Sequence, residues 1–193
     1  MDRGSHSTLA VTPIYFLNAR FFDWSVWAEL GLGLALAAAT LALLAGAIPR
    51  PARWPLLPLL SLLLFSTSRV SVFTFGEPAL QYGLSQLGVA IAAFALACWP
   101  DRPIPLAQAL AFGGILASWS WGGGIMTWPV FAIALFRLRV RSPGAWTIFL
   151  SGAVAGLAQY AWLLPVGMPS VAAGTVPWTT RGGLSSTFSA VLS

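Results

Sequence analysis

The chain has no lysine, one cysteine and one histidine, and only 8% of its 193 residues are charged. The single thiol, Cys98 in the run FALACW, cannot form an internal disulfide and reads as a small buried or lipid-facing residue. One histidine and one cysteine leave no cluster that would hold zinc, so no metal and no cofactor is expected. The scarcity of charge excludes more. A soluble domain carries roughly 25% charged residues, and so few charges cannot cover the surface of a fold this size. The sequence also lacks a Walker A loop, a zinc-protease motif and a G-x-S-x-G elbow. Its opening, MDRGSHSTLAVTP, has no apolar stretch directly behind the basic residue and does not read as a signal peptide. The net charge of +5 comes from scattered arginines, without a basic patch interleaved with aromatics, so no nucleic-acid partner is expected.

What is there is apolar. Hydrophobic residues make up 58% of the chain. Residues 30–48, LGLGLALAAATLALLAGAI, have no polar face at all. Apolar runs bounded by Pro, Gly and Arg fall at 26–48, 54–75, 79–99, 104–119, 123–140 and 145–165. A spanning helix needs roughly 20 apolar residues. The first, third and sixth runs reach that length directly. The others, with apolar cores near 54–65, 104–119 and 125–136, are shorter and include candidates for re-entrant segments, which need cover from protein or water. The expected fold is therefore all-α, a polytopic transmembrane bundle of about six spans over 1–165, with 166–193 an extracytoplasmic loop or tail. Membrane lipid is the expected partner.

Three connecting loops are basic: Arg50 with Arg53, then Arg102, then Arg137, Arg139 and Arg141. If all six runs cross, these loops share one side, which the positive-inside rule makes cytoplasmic. Both termini then lie outside, in what is expected to be a bacterial plasma membrane. Trp24, Trp27, Trp119, Trp121 and Trp128 fall near outer ends of runs, and Trp54, Trp99 and Trp146 near inner ends, as aromatic belts would. The stretch SWSWGGGIMTWPV, 118–130, reads as a tight outer turn, with Pro129 in the first turn of the following helix. At least one of Gly122, Gly123 and Gly124 is expected to take a positive φ. A second reading has this turn dip inward and line a ligand cavity.

Polar groups near the spans are the functional pointers. Glu29 opens the first run, and Arg69 and Glu77 share the outer loop before the third. Gln81 stands one helical turn beyond Glu77. Gln86, Gln108 and Gln159 lie inside runs. Arg69 and Glu77 read either as a salt bridge or as a phosphate anchor beside a residue that serves a polar substrate. Gly152 and Gly156, in GAVAG, form a small-xxx-small pattern suited to close helix packing.

Three segments carry a resemblance: GSHSTLAVTPIYFLNARFFDW, FSTSRVSVFTFG and GGGIMTWPVF. Together they resemble bacterial polytopic membrane proteins similar to GT-C glycosyltransferases, integral-membrane enzymes that use polyprenyl-phosphate sugars. The matching residues are Phe65, Ser66, Phe75, Gly76, Gly124, Ile125, Trp128 and Pro129. His6 matches as well, while Ser7 stands where the family has Arg. The resemblance implies handling of lipid-linked sugars, with a carboxylate as general base. It offers Glu77 and Asp2 as catalytic candidates, and Arg69, Gln81, His6, Trp121 and Gly124 as substrate-binding ones. The family's first transmembrane helix has no counterpart, so the chain is expected to be an internal or truncated piece. A transporter or channel segment, or a non-catalytic membrane subunit, are the alternative readings.

Overall fold

A computed structural model of the chain describes residues 9–65, 76–120 and 122–163. Among these residues the fold is all-α. The helices are α1 (Thr12–Phe22), α2 (Val26–Ala47), α3 (Arg50–Leu64), α4 (Gly76–Cys98), α5 (Pro103–Ser120), α6 (Thr127–Arg137) and α7 (Pro143–Leu163), with a 3₁₀ turn at Gly122–Met126. Residues up to Tyr160 belong to one compact unit. A second unit begins at Ala161, and only its first three residues, within α7, are described.

The boundaries follow from local chemistry. Ser25 precedes α2 in extended conformation, and its hydroxyl accepts weakly from the Ala28 N–H at 3.4 Å. Pro13 and Pro51 sit in the first turns of α1 and α3, where a missing N–H costs little. Asp23 and Trp24 both have positive φ, 49° and 58°, and turn the chain sharply from α1 into α2. Arg139, at 54°, ends the segment after α6 in the same way.

Close contacts fix the helix directions. Gly83 lies against Leu36 and Gly46 against Phe94, so α2 and α4 run parallel. The Gly88 backbone meets both Gly113 and Ala117, while Ala92 meets Gly113, so α5 runs antiparallel to α4. Gly114 lies against the ring of Trp128, fourteen residues on. One continuous helix would separate them by about 21 Å, so the chain reverses between α5 and α6. Gly144 lies by Ile104, Gly152 by Ala111 and Gln159 by Ser118, making α7 parallel to α5. The C-terminal ends of α2, α4 and α6 thus share one end of the unit. That end carries Arg50, Arg53, Arg102, Arg137, Arg139 and Arg141, against the single carboxylate of Asp101 among the described residues.

The main core joins Leu106 and Leu110 of α5, Trp128, Phe131 and Leu135 of α6, and Phe149 of α7. A second cluster, Val11 with Leu80 and Leu84, ties the N-terminal segment to α4. Among the described residues, two helices are long and apolar enough to cross a membrane: Val26–Ala47 and, within α4, Leu80–Cys98. Only 17% of the first apolar stretch is buried, against 50% of the second. α2 therefore offers most of its apolar surface to its surroundings.

Several expectations are corrected. Residues 12–22, which have no counterpart among the expected runs, form α1. The second run begins earlier, at Arg50, and its helix stops at Leu64, with 66–75 outside the described residues. The fifth run is not one helix over 123–140, because a 3₁₀ turn precedes Thr127–Arg137 and the chain leaves the helix at Leu138. The three glycines lie in that 3₁₀ turn, and Gly124 has no positive φ. Trp128 is not a surface belt residue. It is buried between Gly114 and Gly156.

Candidate functional site at the arginine-poor end

At the opposite end lie the first turns of α2, α4 and α6 and the last turn of α5, with Gln159 and Tyr160 of α7. An α-helix ends with carbonyls that have no helical partner. In α5 these are served from elsewhere in the chain. Ser118 O accepts from Gln159 Nε2 at 2.6 Å and from Tyr160 Oη at 3.0 Å. Trp119 O accepts from the Ala10 N–H at 3.1 Å. The N-terminal segment and α7 are thereby fastened to the end of α5.

The glycine turn closes on the same point. Trp128 Nε1 donates to Ser118 Oγ at 2.8 Å, and Ser118 Oγ donates to Gly124 O at 3.4 Å. Thr127 Oγ1 also donates to Gly124 O, at 2.7 Å. Gly124 is packed so tightly that a Cβ there would collide with Ala117 O and lie 2.7 Å from Ser118 N. A glycine is required for close approach, not for its φ. Trp119 Nε1 reaches Ala155 O at 3.3 Å. Ser118 and Ser120 are fully buried. This cluster is a satisfied polar knot inside an apolar setting. Its hydroxyls, indole N–H groups and carbonyls bond to one another and hold the end together.

The charged chemistry described at this end lies at the α1–α2 junction. Asn18, buried, donates through Nδ2 to Glu29 Oε1 at 2.8 Å and to Ser25 O at 3.2 Å. Glu29 stands in the first turn of α2, where the helix dipole favours a carboxylate. The Oδ1 of Asn18 is buried without a hydrogen bond.

Of the residues expected to form a site, Asp2, His6, Arg69 and Trp121 lie outside the described residues. Glu77 falls in the first turn of α4, with its side chain also outside them. Gln81, one turn further along α4, is buried beside Leu80. Gly124 belongs to the knot, and Gly152 and Gly156 are covered by Ala111 and Trp128 of the same chain. Sequence reasoning noted Glu29 and Gln159 only as polar residues in or beside runs, and it passed over Asn18 and Ser118. Asn18 could have been found from residues 12–22, which place it between apolar residues on a short helix. Among the described residues, no group of three or more His, Cys, Asp or Glu could hold a metal ion. No protein-family model, no curated protein and no solved structure matches this chain.

Proposed function

We propose that this chain is an integral-membrane helical module, crossing the bilayer through α2 to α7, whose arginine-poor end handles a lipid-linked sugar. The observation that carries the reading is convergence. Ala10, the start of α4 and the glycine turn come from the three segments that resemble the GT-C-like proteins. Ala10 and the glycine turn are both held at the end of α5, and α4 starts at the same end, opposite Arg50, Arg53, Arg102, Arg137, Arg139 and Arg141.

Beyond α2 and α4, length and the absence of charge support crossings by α5 and α7. α5 and α7 have 18 and 21 residues, about 27 and 31 Å at 1.5 Å per residue, against a hydrocarbon core of about 30 Å. No charged residue occurs between Pro103 and Phe136, or within α7. α6 is short, but the 3₁₀ turn before it is covered by α5, as irregular backbone at membrane depth must be. The arginine end is then cytoplasmic. A transporter would place ionisable groups near the bilayer centre. Here the charged side chains described lie at helix ends or in loops, which favours a module that works at its outer end.

In a Cys98→Ala background, single cysteines at Leu9 and Pro100 test the orientation. A membrane-impermeant maleimide should label position 9 in intact cells, and position 100 only after permeabilisation. The reverse pattern defeats the orientation. The ligand is tested with a photoreactive polyprenyl-phosphate sugar in membranes. Crosslinks should map to residues 9–29, 76–84 or 116–128. Crosslinks confined to α3 or the arginine end would remove the sugar-lipid reading while leaving the topology standing.

A further inference from the structure

α1 buries one face and leaves the other apolar. Its inner side is fixed at both ends, by Val11 against Leu80 and Leu84 and by Asn18 against Ser25 and Glu29. Its outer side presents Pro13, Phe16, Leu17, Arg20 and Phe21, spaced as one helical face. Phe16 is 70% exposed and Phe21 69%. A soluble protein does not leave two phenylalanines so bare beside Leu17, Phe22 and Trp24, all exposed as well.

The patch is continuous with the surface of α2. Trp27, 83% exposed, follows Trp24 by three residues, and exposed Leu34, two turns beyond Trp27, extends the strip along the least covered candidate span. Three residues, 23–25, join α1 to α2. At about 3.5 Å each they cannot carry α1 more than roughly 10 Å from the start of α2. The positive φ values at Asp23 and Trp24 hold it folded back toward the bundle. A helix so tethered to the mouth of a span lies at the level of the lipid headgroups and upper acyl chains.

We infer that α1 is seated in the lipid leaflet on the arginine-poor side, with Phe16, Leu17 and Phe21 among the acyl chains and Arg20 at the headgroup phosphates. The inference rests on the membrane reading above and adds a lipid-binding element that no apolar run announces. Arg20 supports it. Its guanidinium stands 5.9 Å from the Phe21 ring centroid and carries the only cation of that face, and a long stem lets such a head reach the interface while its neighbours stay in lipid. A second protein covering the same face is the competing occupant. It would be expected to offer a partner for the arginine and a continuous flat contact, whereas this patch runs on into a helix suited to lipid.

The test uses the full chain, Cys98→Ala, in nanodiscs of mixed phosphatidylcholine and phosphatidylglycerol. Spin labels are placed singly at Leu17→Cys in α1 and Ala38→Cys in α2, and collision with oxygen and with a water-soluble nickel chelate is measured. The expected result is that Leu17 loses nickel accessibility relative to free label and gains oxygen accessibility toward the value at Ala38. Nickel access at Leu17 with oxygen access at Ala38 overturns the seat of α1 and leaves the membrane reading standing. Nickel access at both positions overturns both. Shielding of Leu17 from both reagents means protein covers the face, and this also overturns the inference.

Discussion

The crossing of α4 and α5 at Gly88 and Gly113 allows a sharp test, because one substitution type should have opposite signs at two glycines. Gly31, in α2, has nothing within 4 Å of where a Cβ would stand. Gly31→Ala should therefore gain only the helix-propensity difference, about 1 kcal/mol. A Cβ at Gly88 would collide with Gly113 O and stand 3.1 Å from Ala117 N and 3.3 Å from Gly113 C. All three atoms are backbone, so no side chain can rotate away. Gly113 offers no relief, since its own Cβ would meet Gly88 O in return. The helices must move apart, and overpacking of this kind costs about 3 kcal/mol at the upper end of its usual range. After the propensity gain, Gly88→Ala should lose about 2 kcal/mol. At about 2–4 °C per kcal/mol for a chain of this size, the melting temperature falls by about 4–8 °C, while Gly31→Ala raises it by about 2–4 °C. Circular dichroism melts of the purified protein in one detergent measure both. Equal stabilisation by the two variants would show that α4 and α5 do not cross at these glycines, and the helix directions derived from that crossing would lose their support.

Trp128→Phe should destabilise by about 1–3 kcal/mol, measured by the same melts, because Ser118 Oγ loses a buried donor; an unchanged melt would contradict the knot. Gly124→Ala should be worse tolerated than Gly144→Ala, since only the former would drive a Cβ into Ala117 O, and a reversed order of melting temperatures would argue against the tight turn. Asn18→Leu should free Glu29 from its donor and raise protease cleavage between α1 and α2; an unchanged cleavage rate would argue against that contact. If Glu77 is the general base, sugar transfer from a polyprenyl-phosphate donor by the purified chain should be abolished by Glu77→Gln, and transfer that survives this change would remove Glu77 from that role.

The helices of this protein were legible where hydropathy alone decides. The bodies of α2, α4, α5 and α7 fall on apolar runs closed by PRPAR, PDRP and RLRVR. Legibility failed where proline and glycine were read as breaks. Pro51 opens α3, and Pro55 and Pro58 lie inside it, so a helix begins where a loop was expected. Pro13 likewise opens α1. The triple glycine suggests a left-handed reversal, yet residues 122–126 form a 3₁₀ turn and Gly124 has no positive φ. That glycine serves contact with the α5 backbone.

The site was legible only in outline, and the reason is physical. A helix in water marks its buried face with apolar residues, because burial there removes apolar area from water. A helix in lipid gains nothing by exchanging acyl chains for leucine, so its packing face carries no hydrophobic stripe. On the membrane reading proposed above, the marks are small residues that admit close approach and polar groups that need a partner. Gly88 with Gly113 and Gly152 with Ala111 are marks of the first kind, and Ser118 with Gln159 and Asn18 with Glu29 of the second. Each mark is readable alone, as GAVAG was. Their pairing is not, because sequence spacing does not say that Gln159 will meet a carbonyl 41 residues earlier. The pairing is set by the alternation of helix directions, and that alternation gathers the arginines at one end and the polar knot at the other.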